Sequence, residues 1–156
     1  MITLLVFRGA EKTSVGRELA RRREWTQFDT DDTVAAHVGL SLGEVFAFHG
    51  EDEFRVAESG ALAEMPNRRA IVATGGGIVL LPKNVALLRR LGPVIYLETE
   101  EAILYERVSA ERPRPLLQTT DPRATLSRLL REREPLYRSA ADFAITTTTL
   151  DVSQVA

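Results

Sequence analysis

The sequence predicts an α/β fold in which a five-stranded parallel sheet is covered by helices on both faces, a three-layer α/β/α arrangement. Two observations carry that expectation. Short apolar runs alternate with longer stretches of helical periodicity along 156 residues, a length that fits one domain with a single sizeable core. The apolar runs are also continuous rather than alternating, which marks strands buried on both faces.

Taken in order, the first strand is read at residues 3–7, where Leu4, Leu5, Val6 and Phe7 form an unbroken apolar run. A helix over 12–23 follows, then a short strand at 27–30. Helical patterns over 31–37, 42–48 and 52–64 lead to a third strand at 70–74, AIVAT. A helix over 83–91 connects it to a fourth strand at 94–98, VIYLE. Helices over 100–110 and 121–139 precede the last strand at 143–147, FAITT. Pro113, Pro115 and the run Gln118-Thr119-Thr120 mark one segment, 109–120, expected to be mobile.

Composition narrows the function classes. Hydrophobic residues make up 44% and charged residues 27%, and the net charge is −2 with Arg and Glu spread along the chain, so a nucleic-acid-binding face is not expected. The absence of cysteine excludes disulfides and Cys-based zinc, and two histidines, His37 and His49, cannot build a histidine cluster. The longest apolar runs fall far short of a membrane span, and the N-terminus lacks a basic-then-apolar leader pattern. A cytoplasmic enzyme or binding protein is the expectation.

Ligands of such sheets bind beyond the carboxyl ends of the strands. After the first strand come Gly9, Ala10, Glu11, Lys12, Thr13 and Ser14. This is the layout of G-x-x-x-x-G-K-[ST], whose backbone N–H groups cradle phosphates while Lys reaches the β/γ-phosphates and the hydroxyl holds Mg²⁺. Val6 and Glu11 stand where the pattern has glycines, so a plain strand–turn–helix with a surface lysine is an equal reading. After the second strand come Asp29, Thr30, Asp31 and Asp32. One carboxylate there suits Mg²⁺ through water and another suits a substrate hydroxyl, while Asp31 or Asp32 also suits a helix cap. After the third strand, Thr74 leads into Gly75, Gly76 and Gly77, which let the backbone approach a ligand or simply turn. Arg55 and Arg133 lie in helical patterns, and Arg107, Arg112 and Arg114 flank or enter the 109–120 segment. Arginines on a closing loop suit transferring phosphates, and a solvated surface would look the same.

Together these elements describe a small-molecule phosphotransferase, and the residues are recognisable. The chain resembles shikimate kinases along nearly its whole length, in KTSVGRELA, FDTDD, GLSLGEVFAFHGEDEFRVAES, IVATGGGIVL, VIYLE, RPLL and REREPLY. The resemblance implies a P-loop kinase fold like that of nucleoside-monophosphate kinases, with a substrate-binding helical segment over 31–64 and a lid over 109–120. It implies ATP-dependent phosphorylation of the shikimate 3-hydroxyl, in aromatic amino-acid biosynthesis, by a monomer. It further implies that Lys12 meets the β/γ-phosphates, that Thr13 ligates Mg²⁺, and that Asp29 supports the metal. Asp31 would bind the substrate hydroxyls and serve as the base. Arg55 and Arg133 would pair with the shikimate carboxylate, and Gly75, Gly76 and Gly77 would lie against the substrate. Arg114 matches the lid arginine, and Arg107 stands where the family places an arginine against adenine.

The departures lie on the nucleotide side. A Cβ at position 11 is a problem in a glycine-only conformation. A carboxylate about 4 Å from a phosphate costs roughly 4 kcal/mol at an effective dielectric near 20, about a thousandfold in affinity. The C-terminal stretch TTTTLDVSQVA is shorter than the family's, whose adenine-contacting loop and final helix continue further. Weakened ATP binding is therefore expected. The alternative is a non-catalytic relative that binds shikimate or a similar hydroxy-carboxylate.

Overall fold

The computed structural model describes residues 1–7, 9–66, 68–110 and 119–156. Five parallel strands form one sheet in the order β2-β3-β1-β4-β5: β1 (Ile2–Val6), β2 (Thr26–Asp29), β3 (Ala70–Ala73), β4 (Val94–Glu98) and β5 (Phe143–Thr146). The helices are α1 (Lys12–Arg23), α2 (Thr30–Val38), α3 (Leu42–Ala63), α4 (Pro82–Leu91), α5 (Glu101–Ala110), α6 (Pro122–Ala140) and α7 (Val152–Val155). A 3-10 turn covers Ile78–Leu80.

β1 is central and its residues Leu4, Leu5 and Val6 are at most 2% exposed, between β3 on one side and β4 on the other. Val6 is a strand residue paired with Leu97, so the chain does not turn at the position where the phosphate-loop pattern has its first glycine. β3 is buried at all four residues, which is why AIVA reads as an unbroken run. Tyr137 of α6 stacks on Tyr96 of β4 at 5.2 Å and meets the edge of Phe7 at 6.3 Å, fixing α6 against the sheet. α2 and α3 pack around their own small cluster of Val34, Val45, Phe54 and Ala61.

Several local readings change. Asp29, rather than Asp31 or Asp32, caps α2, its carboxylate accepting from the Asp31 N–H at 3.0 Å, and Thr30 is already helical. The two helices expected at 42–48 and 52–64 are the halves of α3, joined across Gly50, whose φ of 79° and ψ of 178° leave the helix. As the helix read over 121–139 requires, α6 runs on through Pro135, which leaves the Arg131 carbonyl without its helical donor. The sequence assigned no element to α7. It is held by an Asp151 capping box and by Arg22, which donates to the Ser153 carbonyl at 2.8 Å. Among the described residues no helix is long and apolar enough to cross a membrane.

Candidate active site

The carboxyl ends of β1, β2 and β3 converge, and the chain leaving each one supplies part of a single polar cluster. β1 leads through Phe7, Gly9 and Ala10 to the head of α1. Ala10 turns back to the Phe7 carbonyl at 3.3 Å, and the first helical bond runs from Val15 to Glu11 at 3.1 Å. Gly9 is required by proximity, since a Cβ there would lie 2.9 Å from Val108 Cγ2 and 3.2 Å from the Leu104 carbonyl of α5. Gln27 of β2 donates to the Thr13 carbonyl at 3.1 Å and ties the first turn of α1 to the sheet.

Lys12 Nζ donates to Asp29 Oδ1 at 2.9 Å and to Asp31 Oδ2 at 2.8 Å. Burial alone would lower its pKa, but the charges of Asp31 and Asp29, with their hydrogen bonds, outweigh that and raise it. Thr13 Oγ1 donates to Asp29 Oδ2 at 2.9 Å, so Asp29 collects the lysine, the hydroxyl and the cap of α2. The same short stretch thus serves as cap and as site.

From β3, Thr74 donates twice to the Leu4 carbonyl, by N–H and by hydroxyl, each at 3.1 Å. Gly75 donates its N–H to Thr30 Oγ1 at 3.0 Å. A Cβ on Gly75 would lie 2.5 Å from Asp31 Oδ1 and 3.2 Å from Glu58 Oε1. One on Gly77 would overlap the Arg55 guanidinium. Gly75 and Gly77 are therefore explained by side chains pressed against the backbone, while the Gly76 carbonyl accepts from the Tyr137 hydroxyl.

Arg55 is 8% exposed and Glu58 is fully buried. Arg55 Nη1 donates to Glu58 Oε2 at 2.8 Å and Nη2 to Glu51 Oε1 at 3.1 Å, with the guanidinium 5.0 Å from the Phe54 ring centroid. Burial pushes the Glu58 carboxyl above its ordinary pKa, opposed by Arg55 and reinforced by Asp31. Arg55 Nε and Glu58 Oε1 are buried without a hydrogen-bond partner among the described residues, an open acceptor beside Asp31 and Gly75 and an open donor on the guanidinium that lies against Gly77. Buried polar atoms carry a penalty of about 1–3 kcal/mol when unmet, so this pair suits a ligand that meets both. The sequence singled out Arg55; Glu58 was legible only as a neighbour three residues on, and Thr30 and Tyr137 gave no signal of their part.

Arg133 lies one helical turn before Tyr137 on α6. It is half-buried and has no ion-pair partner among the described residues. Arg107 of α5 reaches the loop instead of open solvent, with Nη1 3.4 Å from the Gly9 carbonyl and Nη2 3.4 Å from Glu11 Oε2. Glu11 holds φ 53° and ψ 31°, a left-handed conformation that costs a side-chain-bearing residue about 1–2 kcal/mol. The strain anticipated at this position is present, and the carboxylate points to Arg107. Ser14 is exposed on the first turn. Arg112, Arg114 and residues 111–118 of the expected lid lie outside the described residues.

No group of three or more His, Cys, Asp or Glu among the described residues forms a metal cluster. The donors Thr13 Oγ1 and Asp29 fit Mg²⁺ all the same, because that ion takes one or two protein oxygens and completes its shell with phosphate and water.

Comparison with known proteins points one way. The family model for shikimate kinase matches residues 8–156. The shikimate kinase of Cupriavidus pinatubonensis is 45% identical over 149 residues, 95% of this chain and 78% of that protein. A structure of the Acinetobacter baumannii shikimate kinase in complex with shikimate superposes with a TM-score of 0.90 at 36% identity, covering 97% of this chain and 86% of that one. A gluconokinase from Sinorhizobium meliloti superposes with a TM-score of 0.61 at 17% identity, over 99% of this chain and 85% of that one, and shares the fold alone.

Proposed function

Because the chain belongs to the shikimate kinase family, we propose that it transfers the γ-phosphoryl group of ATP to the 3-hydroxyl of shikimate, a step of chorismate and aromatic amino-acid synthesis, in the cytoplasm and as a monomer. Asp31 carries the reading. It is bound to Lys12 on the donor side and stands against Gly75 and Glu58 on the acceptor side, so one carboxylate reaches both reactants.

In this reading the donor phosphates occupy the head of α1, where Gly9, Ala10, Glu11 and Ser14 contribute backbone N–H groups and the helix dipole favours anions. Lys12 exchanges its carboxylate partners for the β/γ-phosphates. Thr13 and Asp29 would hold Mg²⁺, which would supply neutralisation of the phosphate charge. Asp31 accepts the proton of the 3-hydroxyl as that oxygen bonds to the γ-phosphorus and the bond to the β-phosphate oxygen breaks, releasing ADP. Arg55 and Arg133 grip the substrate carboxylate from α3 and α6, with Glu58 holding the Arg55 guanidinium in place. The 31–64 segment binds the acceptor, and the 109–120 segment closes over the phosphates with Arg114.

Separate titrations with ATP-Mg and with shikimate, followed by a coupled ADP assay, test this. Saturable binding of both and shikimate-dependent ADP release are expected. Shikimate binding without ATP binding or turnover would support the non-catalytic alternative, which the intact set of Lys12, Thr13, Asp29 and Asp31 disfavours.

A further inference from the structure

Arg55 is held by more than its carboxylate partners. Its backbone carbonyl lies 2.9 Å from the Ser59 hydroxyl one helical turn on, and that hydroxyl lies 2.7 Å from the side-chain amide of Asn84 in α4. Ser59 is 6% exposed and Asn84 is fully buried. The hydroxyl has one proton for two oxygens, while Asn84 Nδ2 is buried without a hydrogen-bond partner among the described residues. With the amide turned over in its own plane, Nδ2 donates to Ser59 Oγ and the hydroxyl donates to the Arg55 carbonyl. That relay leaves open only a carbonyl oxygen, which a buried site tolerates better than an orphaned N–H. Asn84 also belongs to the segment that holds the far end of Arg55. From Gly75 the backbone folds through the Ile78–Leu80 turn into α4, with the Ile78 N–H on the Gly75 carbonyl at 3.2 Å, the Leu80 N–H on Gly77 at 3.1 Å and the Asn84 N–H on Leu81 at 2.9 Å. The guanidinium rests against Gly77 at one end of this segment, and the Arg55 carbonyl is tied to Asn84 at the other.

We propose that Ser59 and Asn84 are positioning residues for Arg55, docking the second half of α3 onto the Gly75–Asn84 segment so that the guanidinium meets the acceptor carboxylate. The inference deepens the acceptor reading above and rests on it. Gly50 breaks α3 at φ 79° and ψ 178°, so the first half of the helix does not set the height or rotation of the half that carries Arg55. Apolar packing is non-directional and lets a helix slide by fractions of an ångström. A hydrogen bond between two buried side chains fixes one rotation and one height. Serine suits the place because its single oxygen can bond the carbonyl four residues back and a group on another helix at once.

Ser59→Ala, Asn84→Leu and the double variant test this, with Arg55→Gln as a second background. Each protein is titrated with shikimate, with its uncharged carboxamide and with ATP-Mg, and each is unfolded in urea. Leucine fills the space of Asn84, and replacing both members of a buried hydrogen-bonded pair by apolar groups is close to neutral for stability, so the double variant should fold even where a single one does not. A displacement of about 1 Å costs on the order of a hundredfold, and releasing one of the two ends of Arg55 is expected to cost about tenfold in Kd and in kcat/KM for shikimate. The carboxamide, which offers the guanidinium no charge, should lose less than about twofold, and the Kd for ATP-Mg should stay within about twofold. Beside Arg55→Gln, Ser59→Ala should change shikimate binding by less than about twofold. Unchanged shikimate affinity in the double variant would show that the pair serves the fold alone and overturn the proposal. Equal losses for shikimate and its carboxamide, or a Ser59→Ala effect that persists in full beside Arg55→Gln, would overturn it too. If the wild-type chain does not bind shikimate, the acceptor reading fails and takes this inference with it; shikimate binding that none of the variants weakens sinks the inference alone.

Discussion

Two glutamates hold left-handed backbone conformations, and they separate strain from function. Glu11 sits in the turn between β1 and α1 and Glu24 at the end of α1, each at φ 53°. Glu24 is exposed and far from the polar cluster, with its N–H closing the helix onto the Ala20 and Arg21 carbonyls. Glycine is the residue that position favours. Glu24→Gly should therefore stabilise the fold by about 1 kcal/mol and raise Tm by about 2–4 °C without altering either KM, read by calorimetry and steady-state kinetics. The converse experiment adds a methyl where none fits. Gly77→Ala would force the Arg55 guanidinium aside while leaving the loop untouched. A displacement of about 1 Å costs on the order of a hundredfold in kcat/KM. That loss is expected for shikimate, with the Kd for ATP-Mg unchanged; equal losses on both substrates would place Arg55 elsewhere in the mechanism. At this scale the sequence was informative by residue type. Lys12, Asp29 and Asp31 lie at or just beyond strand ends and meet in one cluster, which Arg55 joins from α3 through Glu58 and Gly77. Glu58 was hidden because nothing in a helical run of acidic residues distinguishes a buried carboxylate from the exposed Glu51 and Glu53 beside it.

In the proposed function α3 presents the acceptor side, and its chemistry is that of a carboxylate held where water does not reach. Glu58 has a pKa raised by burial, with Arg55 opposing and Asp31 adding to the shift. A raised carboxyl pKa means the folded state keeps its proton to higher pH than the unfolded chain. The contribution of Glu58 to stability is thus most favourable below the ordinary value of 4.5 and declines as pH rises from there through the raised folded value. Comparing wild type with Glu58→Gln by denaturation across that window should show the variant gaining relative stability as pH rises. A difference that is flat with pH would mean Glu58 titrates normally. Element boundaries were read well where burial enforced them, as in β1, β3 and β4, whose apolar runs have no other place to go. They were read less well where one residue has two uses. Asp29 ends β2, caps α2 and holds Lys12, so the strand stops before the sequence suggested. Pro135 does not end α6, whose far half is held to the sheet by Tyr137 between Tyr96 and Phe7.

For the molecule as a whole, the strand order β2-β3-β1-β4-β5 sets donor and acceptor sides next to each other, because the loop after β1 and the segments after β2 and β3 leave adjacent strands. Lys12 joins the two sides. Its ammonium is shared between Asp29, which faces Thr13, and Asp31, which faces Gly75 and Glu58. A phosphate that recruits Lys12 must weaken its hold on Asp31, and the freed carboxylate is then available to a substrate hydroxyl. Each substrate should consequently improve the binding of the other, and by the same factor in both directions, since the coupling is a single free energy. A non-hydrolysable ATP analogue with Mg²⁺ should lower the Kd for shikimate about fivefold or more, and saturating shikimate should lower the Kd for the analogue equally. Asp31→Asn removes the charge that Lys12 must release and should reduce the coupling to near unity, while Arg133→Ala should weaken shikimate binding and leave the coupling in place. Independent binding of the two ligands to the wild-type chain would mean that Lys12 keeps its grip on Asp31 when the donor is bound, and that the base must be freed by another route.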